Sequence, residues 1–318
     1  MRPYLVLAIG VTVGCSNNQQ PEREPTRVLP SRAEPAPAPK PDPAPIARVD
    51  LSVGNGFEMR RPIHDGRLTL IPIIATRELA ARKFITLHDG MARNLVTVRE
   101  ISEDWDVNTV RITNKSRDPL VVLGGELIVD AMQDRVTAEH TVIMAGKSAL
   151  VNVRCVEEDR DHGGVTFRAG NALAELSLRR TVMHDSQDAV WQKVKVINRR
   201  HHLAPSTNTY RHAAHLQAKG ASAERRDRIV AQLEALEERQ QIVGLAVAVD
   251  GQVIAIDRMA TPELYRQLET ELLASYLPDT AGDPPEGRRL APDDVRSLAR
   301  MDRLAVTTDA TYSVLRPL

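Results

Sequence analysis

Residues 119–158, PLVVLGGELIVDAMQDRVTAEHTVIMAGKSALVNVRCVEE, decide how this chain is read. Two apolar runs flank a polar knot of Glu126, Gln133, Asp134 and Arg135. Polar groups held between buried strands must be hydrogen-bonded, or they weaken the fold. The knot is therefore either a structural network or the floor of a site. Residues 136–144 place Val136, Ala138, His140, Val142 and Met144 on one face of an expected strand. Ala145-Gly146-Lys147 turns the chain, and residues 149–156 follow as the expected hairpin partner.

Strand parity settles the role of the cysteine in this stretch. Cys155 shares a face with Ala149, Val151 and Val153, while Asn152 and Arg154 face the other way. Side chains alternate along a strand, so Cys155 points into the core. An apolar environment raises its pKa and leaves the sulfur inert. Glu157 leaves the strand end on the same face and must be paired or sit in a cleft.

Toward the N-terminus the chain is strand-rich. Leu68, Leu70 and residues 71–74 form an expected strand, placed at an edge or bulge because Pro72 interrupts it. A short helix is expected over 86–91 and strands over 95–98, 106–113 and 120–123, with a turn at 114–118. Toward the C-terminus the pattern turns helical. Asn171 is read as capping a helix through Met183. Asp185 or Ser186 caps another carrying Val190, Val194, Ile197 and Trp191, the last as a core anchor. Residues 223–241 carry Ile229, Val230, Leu233 and Leu236 on one face. Strands over 245–249 and 253–256 flank an Asp250-Gly251 turn, and Asp257 is assigned to turn formation. Thr261-Pro262-Glu263 then starts a helix with Leu264, Leu268 and Leu272 on one side. The pattern predicts an α+β fold: a strand-rich N-terminal half, layered or sandwich-like, with helices packed against it from the C-terminal half.

Two chemistries fit the knot. In the structural one, Arg135 pairs with Glu126 or Glu157 and fixes the loop. In the functional one, Arg135 is a fork for phosphate or carboxylate, Gln133 contacts an amide or ribose, and an acid acts as base. The ligand-binding candidates are accordingly Glu126, Gln133, Asp134, Arg135 and Glu157. The chain has no GxGxxG, Walker or GxSxG sequence. His201-His202 and His212-x-x-His215 form a histidine-rich stretch, but no carboxylate or cysteine at recognisable spacing completes a ligand set. No metal site and no cofactor are expected. The net charge is zero, from 42 basic and 42 acidic side chains, and aromatics are 3% of residues. That balance argues against a nucleic-acid partner, which calls for a basic footprint and stacking platforms.

The N-terminus reads as an export signal over residues 1–15. Arg2 precedes an apolar run, residues 4–13, of about ten residues, too short to span a bilayer. Thr12-Val13-Gly14-Cys15 resembles the bacterial lipobox, with Cys15 the lipidation site and Thr12 standing where an aliphatic is usual. An ordinary cleaved signal peptide is the alternative. Ser16 after the cysteine resembles lipoproteins sorted to an outer membrane. Residues 16–47 hold nine prolines and no hydrophobic period, a composition for an extended, disordered tether. A globular α+β domain is expected over 48–278, and residues 279–318 form a weakly structured or docked extension. With Cys15 lipidated, Cys155 is the one cysteine left, so no internal disulfide is expected.

Residues 120–125, Gly125-Glu126, Gln133-x-Arg135 and Cys155-Val156-Glu157 together resemble the ARG and rhodanese-phosphatase-superfamily-associated protein domain. Leu68-Thr69-Leu70-Ile71-Pro72, Asp188-x-x-Trp191 and the hairpin over 244–257 with its helix to Tyr276 extend the resemblance across about residues 67–277. Two departures stand out. Asp130-Ala131-Met132-Gln133-Asp134-Arg135 lacks a lysine and an amide of the family pattern, and Glu158-Asp159-Arg160 replaces an Arg-Trp. The resemblance implies association with ADP-ribosylglycohydrolases and phosphatase-like proteins. The expectation is thus a lipid-anchored protein of the cell envelope, at the outer membrane facing the periplasm. Its domain binds a small anionic or nucleotide-like ligand, or an envelope protein partner, without chemistry. The alternative is a hydrolase or processing enzyme acting on ADP-ribose or a related nucleotide.

Overall fold

The computed structural model describes residues 56–79, 82–101, 107–160, 162–217, 219–280 and 312–314. The expected signal, the tether, Asp106, Trp105 and most of the 279–318 extension lie outside the described residues.

Strands β1 (Phe57–Met59), β2 (Ile63–Asp65) and β3 (Leu68–Ala75) open the described chain. All eight residues of β3 are buried, as an apolar run without alternation requires. Pro72 does not put β3 at an edge. The strand is flanked on both sides, and Pro72 falls where its outer partner changes: β2 pairs with Leu68–Leu70 and β1 with Ile73–Ala75. Pro72 carries no amide hydrogen, so the gap between β2 and β1 leaves no donor stranded. Its carbonyl accepts Arg60 N at 2.8 Å.

Next come β4 (Ile85–Thr86), α1 (Leu87–Ala92), β5 (Val96–Glu100), β6 (Thr109–Asn114), β7 (Leu120–Val122), β8 (Glu126–Val129), β9 (Arg135–Thr137), β10 (Thr141–Ile143), β11 (Ser148–Cys155) and β12 (Arg168–Leu173). Residues 136–144 are not one strand paired with 149–156. The chain breaks after Thr137: β9 pairs with the end of β11, whereas β10 crosses to pair with β7. The first part of β11 pairs with β6 instead. The resulting sheets run β10-β7-β4 and β12-β8-β9-β11-β6-β5.

The C-terminal half supplies α2 (Leu176–His184), α3 (Gln187–Arg200), α4 (Arg211–Gln217), α5 (Gly220–Glu234), the hairpin β13 (Ile242–Val249) and β14 (Gln252–Met259), α6 (Pro262–Tyr276) and β15 (Tyr312–Val314). Asn171 does not cap α2. It lies in β12 with φ +51°, at a register shift between Ala169 and Leu173, where a left-handed residue forms a bulge. Ser186 does cap α3, accepting Ala189 N, and Thr261 caps α6, accepting Leu264 N. Asp250 and Gly251 both have positive φ, the geometry a two-residue hairpin turn requires. The hairpin docks β13 on β3, so the third sheet, β1-β3-β13-β14-β15, is built from both ends of the domain. This is an α+β fold with a strand-rich N-terminal half and most of its helices in the C-terminal half.

The layers follow from strand parity. One face of the β3–β13 sheet packs Leu70, Leu245 and Val247 with Ile229, Leu233, Leu268 and Leu272 from α5 and α6. The three-stranded sheet and the β12-to-β5 sheet close over Val98, Ile112, Leu120, Val122, Ile128, Val151 and Val153. The opposite side of the β8–β9 hairpin, Leu127, Val129 and Val136, buries against α2, α3 and α4 through Leu178, Val182, Val190, Val194, Tyr210 and Ala213. Trp191 is not part of that core; it sits half-buried on α3, beside the buried Val190–Val194–Ile197 stripe. The β8–β9 hairpin thus lies at the centre of the domain, with apolar layers on both faces.

Candidate functional site

The polar knot of the sequence separates into three environments. At the tip of the β8–β9 hairpin, Asp134 is 1% exposed and accepts from Arg211 at 2.6 and 2.9 Å, Arg160 at 3.2 Å and Thr209 at 2.8 Å. Asp130 binds Arg211 at 2.6 Å and also Arg168. Glu157 accepts from Arg160 at 2.8 Å, Thr207 at 2.6 Å and Asp134 N at 3.0 Å. Burial alone would lift Glu157, but the hydrogen bonds from Arg160 and Thr207 overcome it and hold the carboxyl below its usual range. Gln133 donates to the Glu157 carbonyl at 3.0 Å and so ties the hairpin tip to the end of β11.

Arg135 stands apart. It does not pair with Glu126 or Glu157; its Nη2 donates to Glu100 at 3.0 Å, and its guanidinium lies 5.8 Å over the Phe167 ring. Arg135 and Glu126 leave the same face of the hairpin, because Arg135 is opposite Ile128 in register. They diverge nonetheless, Arg135 reaching to β5 and Glu126 folding back on its own turn. Cys155 sits opposite Arg135 and is 3% exposed, and burial pushes its thiol up. Gln187 of α3 clamps the same position, accepting Cys155 N at 3.0 Å and donating to Cys155 O at 2.7 Å.

The third environment surrounds Glu126, at the base of the hairpin. Gly125 has φ +109°, and a Cβ there would lie 2.5 Å from Arg179 Cγ, so only glycine lets the Arg179 stem cross the turn. Thr137 Oγ1 stitches the turn by accepting Glu126 N at 2.9 Å and donating to Leu123 O at 2.5 Å. Glu126 Oε2 accepts Leu123 N at 2.9 Å, whereas Oε1 has no hydrogen-bond partner among the described residues. The residue is fully buried.

Two further side chains converge on Glu126. His88, from α1, is 5% exposed, and Glu271, from α6, has a side chain 26% exposed. His88 Nε2 lies 3.2 Å from Leu127 O, and Nδ1 faces both Glu271 oxygens at 3.0 and 3.2 Å. One donor atom from each of His88, Glu126 and Glu271 lies within 4.8 Å of the others. Burial raises Glu126 to about 8, with Glu271 adding to it and His88 opposing. Burial would depress His88, but the Glu271 carboxylate, with Glu126 behind it, outweighs this and raises it to about 9. The cluster therefore holds protons well above the ordinary range of either side chain.

Beside it runs a fixed ion pair. Arg179 of α2 donates to Asp257 at 3.0 Å through both Nη1 and Nη2, and Tyr276 OH donates to Asp257 at 2.6 Å. Arg179 also reaches Gly124 O at 3.4 Å and Ser275 Oγ at 3.4 Å. Asp257 is thus no turn residue: it is 1% exposed and anchors α2 and α6 to β14. His88, Glu271, Arg179, Ser275 and Asp257 were missed as site residues by sequence reasoning. Glu271 and Ser275, at i and i+4 on α6, are a polar stripe that helical periodicity carries, although nothing local shows what it faces. His201, His202, His212 and His215 are exposed or half-buried and form no ligand group among the described residues.

The model of the ARG and Rhodanese-Phosphatase-superfamily-associated Protein domain, ARPP-1, matches residues 56–313, and the chain belongs to that family. No curated protein and no solved structure matches the chain.

Proposed function

We propose that this chain is a lipid-anchored protein of the cell envelope whose α+β domain binds a small anionic ligand without converting it. The observation that carries this reading is the closure of the sequence-marked knot. Asp134, Arg135 and Glu157 are each no more than 4% exposed, and each holds an opposite charge or a hydrogen-bond partner. A general base has to touch substrate, and carboxylates locked in charge-assisted pairs are held as spectators. Glu126 has the raised pKa of a catalytic acid, but it is fully buried.

An open groove lies elsewhere on the domain. A groove of about 320 Å³ at the start of α6 is lined by Arg77, Arg82 and Arg266 against Glu78 and Glu263. Arg266 is oriented there by Gln240, at 2.9 Å. Three guanidinium groups at one groove suit a phosphate or carboxylate ligand, and the volume suits a nucleotide-sized one. The export signal, lipobox and proline-rich tether of the sequence support placement at the outer membrane, facing the periplasm.

Thermal unfolding of the full-length protein with ADP-ribose tests the ligand. The expected result is a stabilisation that is lost in an Arg77→Ala/Arg266→Ala double variant. Absence of any shift overturns the small-ligand reading in favour of an envelope protein partner. Release of product from ADP-ribose, abolished by Glu126→Gln, overturns the non-catalytic reading. For anchoring, Cys15→Ala is expected to abolish palmitate labelling and free the protein from membranes; unchanged labelling defeats that placement.

A further inference from the structure

The His88–Glu126–Glu271 cluster has a donor set and a polarity that call for a cation. His88 Nε2 faces the Leu127 carbonyl, which only accepts, so Nε2 carries a hydrogen. That commits Nδ1 to the opposite side, where it meets the Glu271 carboxylate at 3.0 Å. In the metal-free protein a proton bridges Nδ1 and the carboxylate, and a metal ion can take that proton's place. Glu126 adds the second observation. Its Oε1 is buried with no hydrogen-bond partner among the described residues, although the residue is fully enclosed. An acceptor of this kind costs stability unless something binds it.

We infer that His88, Glu126 and Glu271 form a binding site for a divalent first-row transition ion such as zinc. The set is one imidazole nitrogen and two carboxylates, whose charges balance a dication. A nitrogen among oxygen donors favours zinc and its neighbours over magnesium or calcium, which take all-oxygen shells. Ligands about 2.0–2.2 Å from a tetrahedral ion stand about 3.3 Å from one another. The His88–Glu271 pair is already at 3.0 Å, and all three donors lie within 4.8 Å of one another. The Leu127 carbonyl holding the far side of the imidazole is the second-shell contact that metal-bound histidines ordinarily have. Arg179 does not compete for the place, because Asp257 holds it at both terminal nitrogens. Partial exposure of Glu271 gives the ion its way in. The three ligands come from α1, β8 and α6, so the ion would tie together the two halves of the domain. The site shares no residue with the arginine groove.

The test is direct titration of purified, chelator-treated full-length protein with zinc, and with cobalt as a spectroscopic probe. One equivalent is expected to bind, and the cobalt form is expected to show visible d–d bands without a thiolate charge-transfer band. Glu271→Gln, on a partly exposed helix position, and Glu126→Gln, of unchanged shape, are each expected to weaken binding by at least about tenfold. A His212→Ala/His215→Ala variant is expected to bind as the wild type does. No stoichiometric binding by the wild type overturns the site. So does binding that vanishes with His212 and His215 but survives Glu271→Gln, which identifies surface histidines as the chelator. If Glu126→Gln does not fold, Glu271→Gln and the cobalt spectrum decide alone.

Discussion

The two ends of the β8–β9 hairpin bury acids in opposite ways. At the tip, Asp130, Asp134 and Glu157 meet Arg160, Arg168 and Arg211. At the base, Glu126 and Glu271 meet the single imidazole of His88. The tip carboxyls of Asp130 and Glu157 are each held below their usual range against the pull of their own burial, while Glu126 at the base is raised to about 8. Desolvation acts on both ends. What differs is the supply of guanidinium groups. An interior that provides enough of them locks its carboxylates. One that does not leaves them to take up protons or an ion.

The largest effect is expected at the tip. Asp134→Ala leaves Arg160 and Arg211 without their shared buried partner and is expected to cost about 3–5 kcal/mol in denaturant unfolding. A loss under about 1 kcal/mol would mean that the tip is not locked. Gly125→Ala probes the base through its backbone. The positive φ and the 2.5 Å approach to Arg179 Cγ predict a loss of about 2–3 kcal/mol, with the Arg179–Asp257 pair disturbed. A neutral result would show that Arg179 moves aside freely.

The pH dependence of metal-free protein separates the ends further. Glu126 binds its proton more tightly folded than unfolded, so the stability it contributes is present below about 4.5 and lost as pH rises through about 8. His88, raised from 6.5 to about 9, likewise contributes stability below its unfolded value that disappears as pH climbs through about 9. Glu157 runs the other way: its contribution is lost as pH falls below its ordinary carboxyl range. Glu126→Gln is expected to remove up to about 1.4 kcal/mol per pH unit of slope between the two Glu126 values. An unchanged profile in chelator would place the proton elsewhere. The smallest effect belongs to the rim. Arg168 is 78% exposed, and Arg168→Ala is expected to change stability by less than about 0.5 kcal/mol.

How far the sequence carries depends on the range of the interaction. The Asp250-Gly251 turn, the Thr261 cap and the inward face of Cys155 are local matters of backbone sign and parity, and the chain states them outright. The α3 cap it narrows to Asp185 or Ser186, of which Ser186 serves. Pro72 misled because a proline is tolerated wherever two short outer strands meet, which a single strand does not reveal. Residues 136–144 alternate in sequence, yet their two parts pair with different strands. The break after Thr137 resets the parity, so that Ile143 is buried while the expected Met144 is exposed. The candidate knot was legible as a set of buried polar residues. Its pairing was not, because Glu100, His88, Arg211 and Glu271 reach it through tertiary contacts from distant elements.

The β3–β13 pairing also constrains how the chain folds while it is being made. β3 emerges early as eight uniformly apolar or small residues, and its inner neighbour follows only after α1 to α5 have been synthesised. Until then the strand has a sticky, unpaired flank, in a topology whose distant contacts make folding slow. A chain truncated before β13 would therefore be expected to aggregate rather than to yield a smaller folded unit. If the chain is exported as proposed above, it would need an escort until its last hairpin arrives.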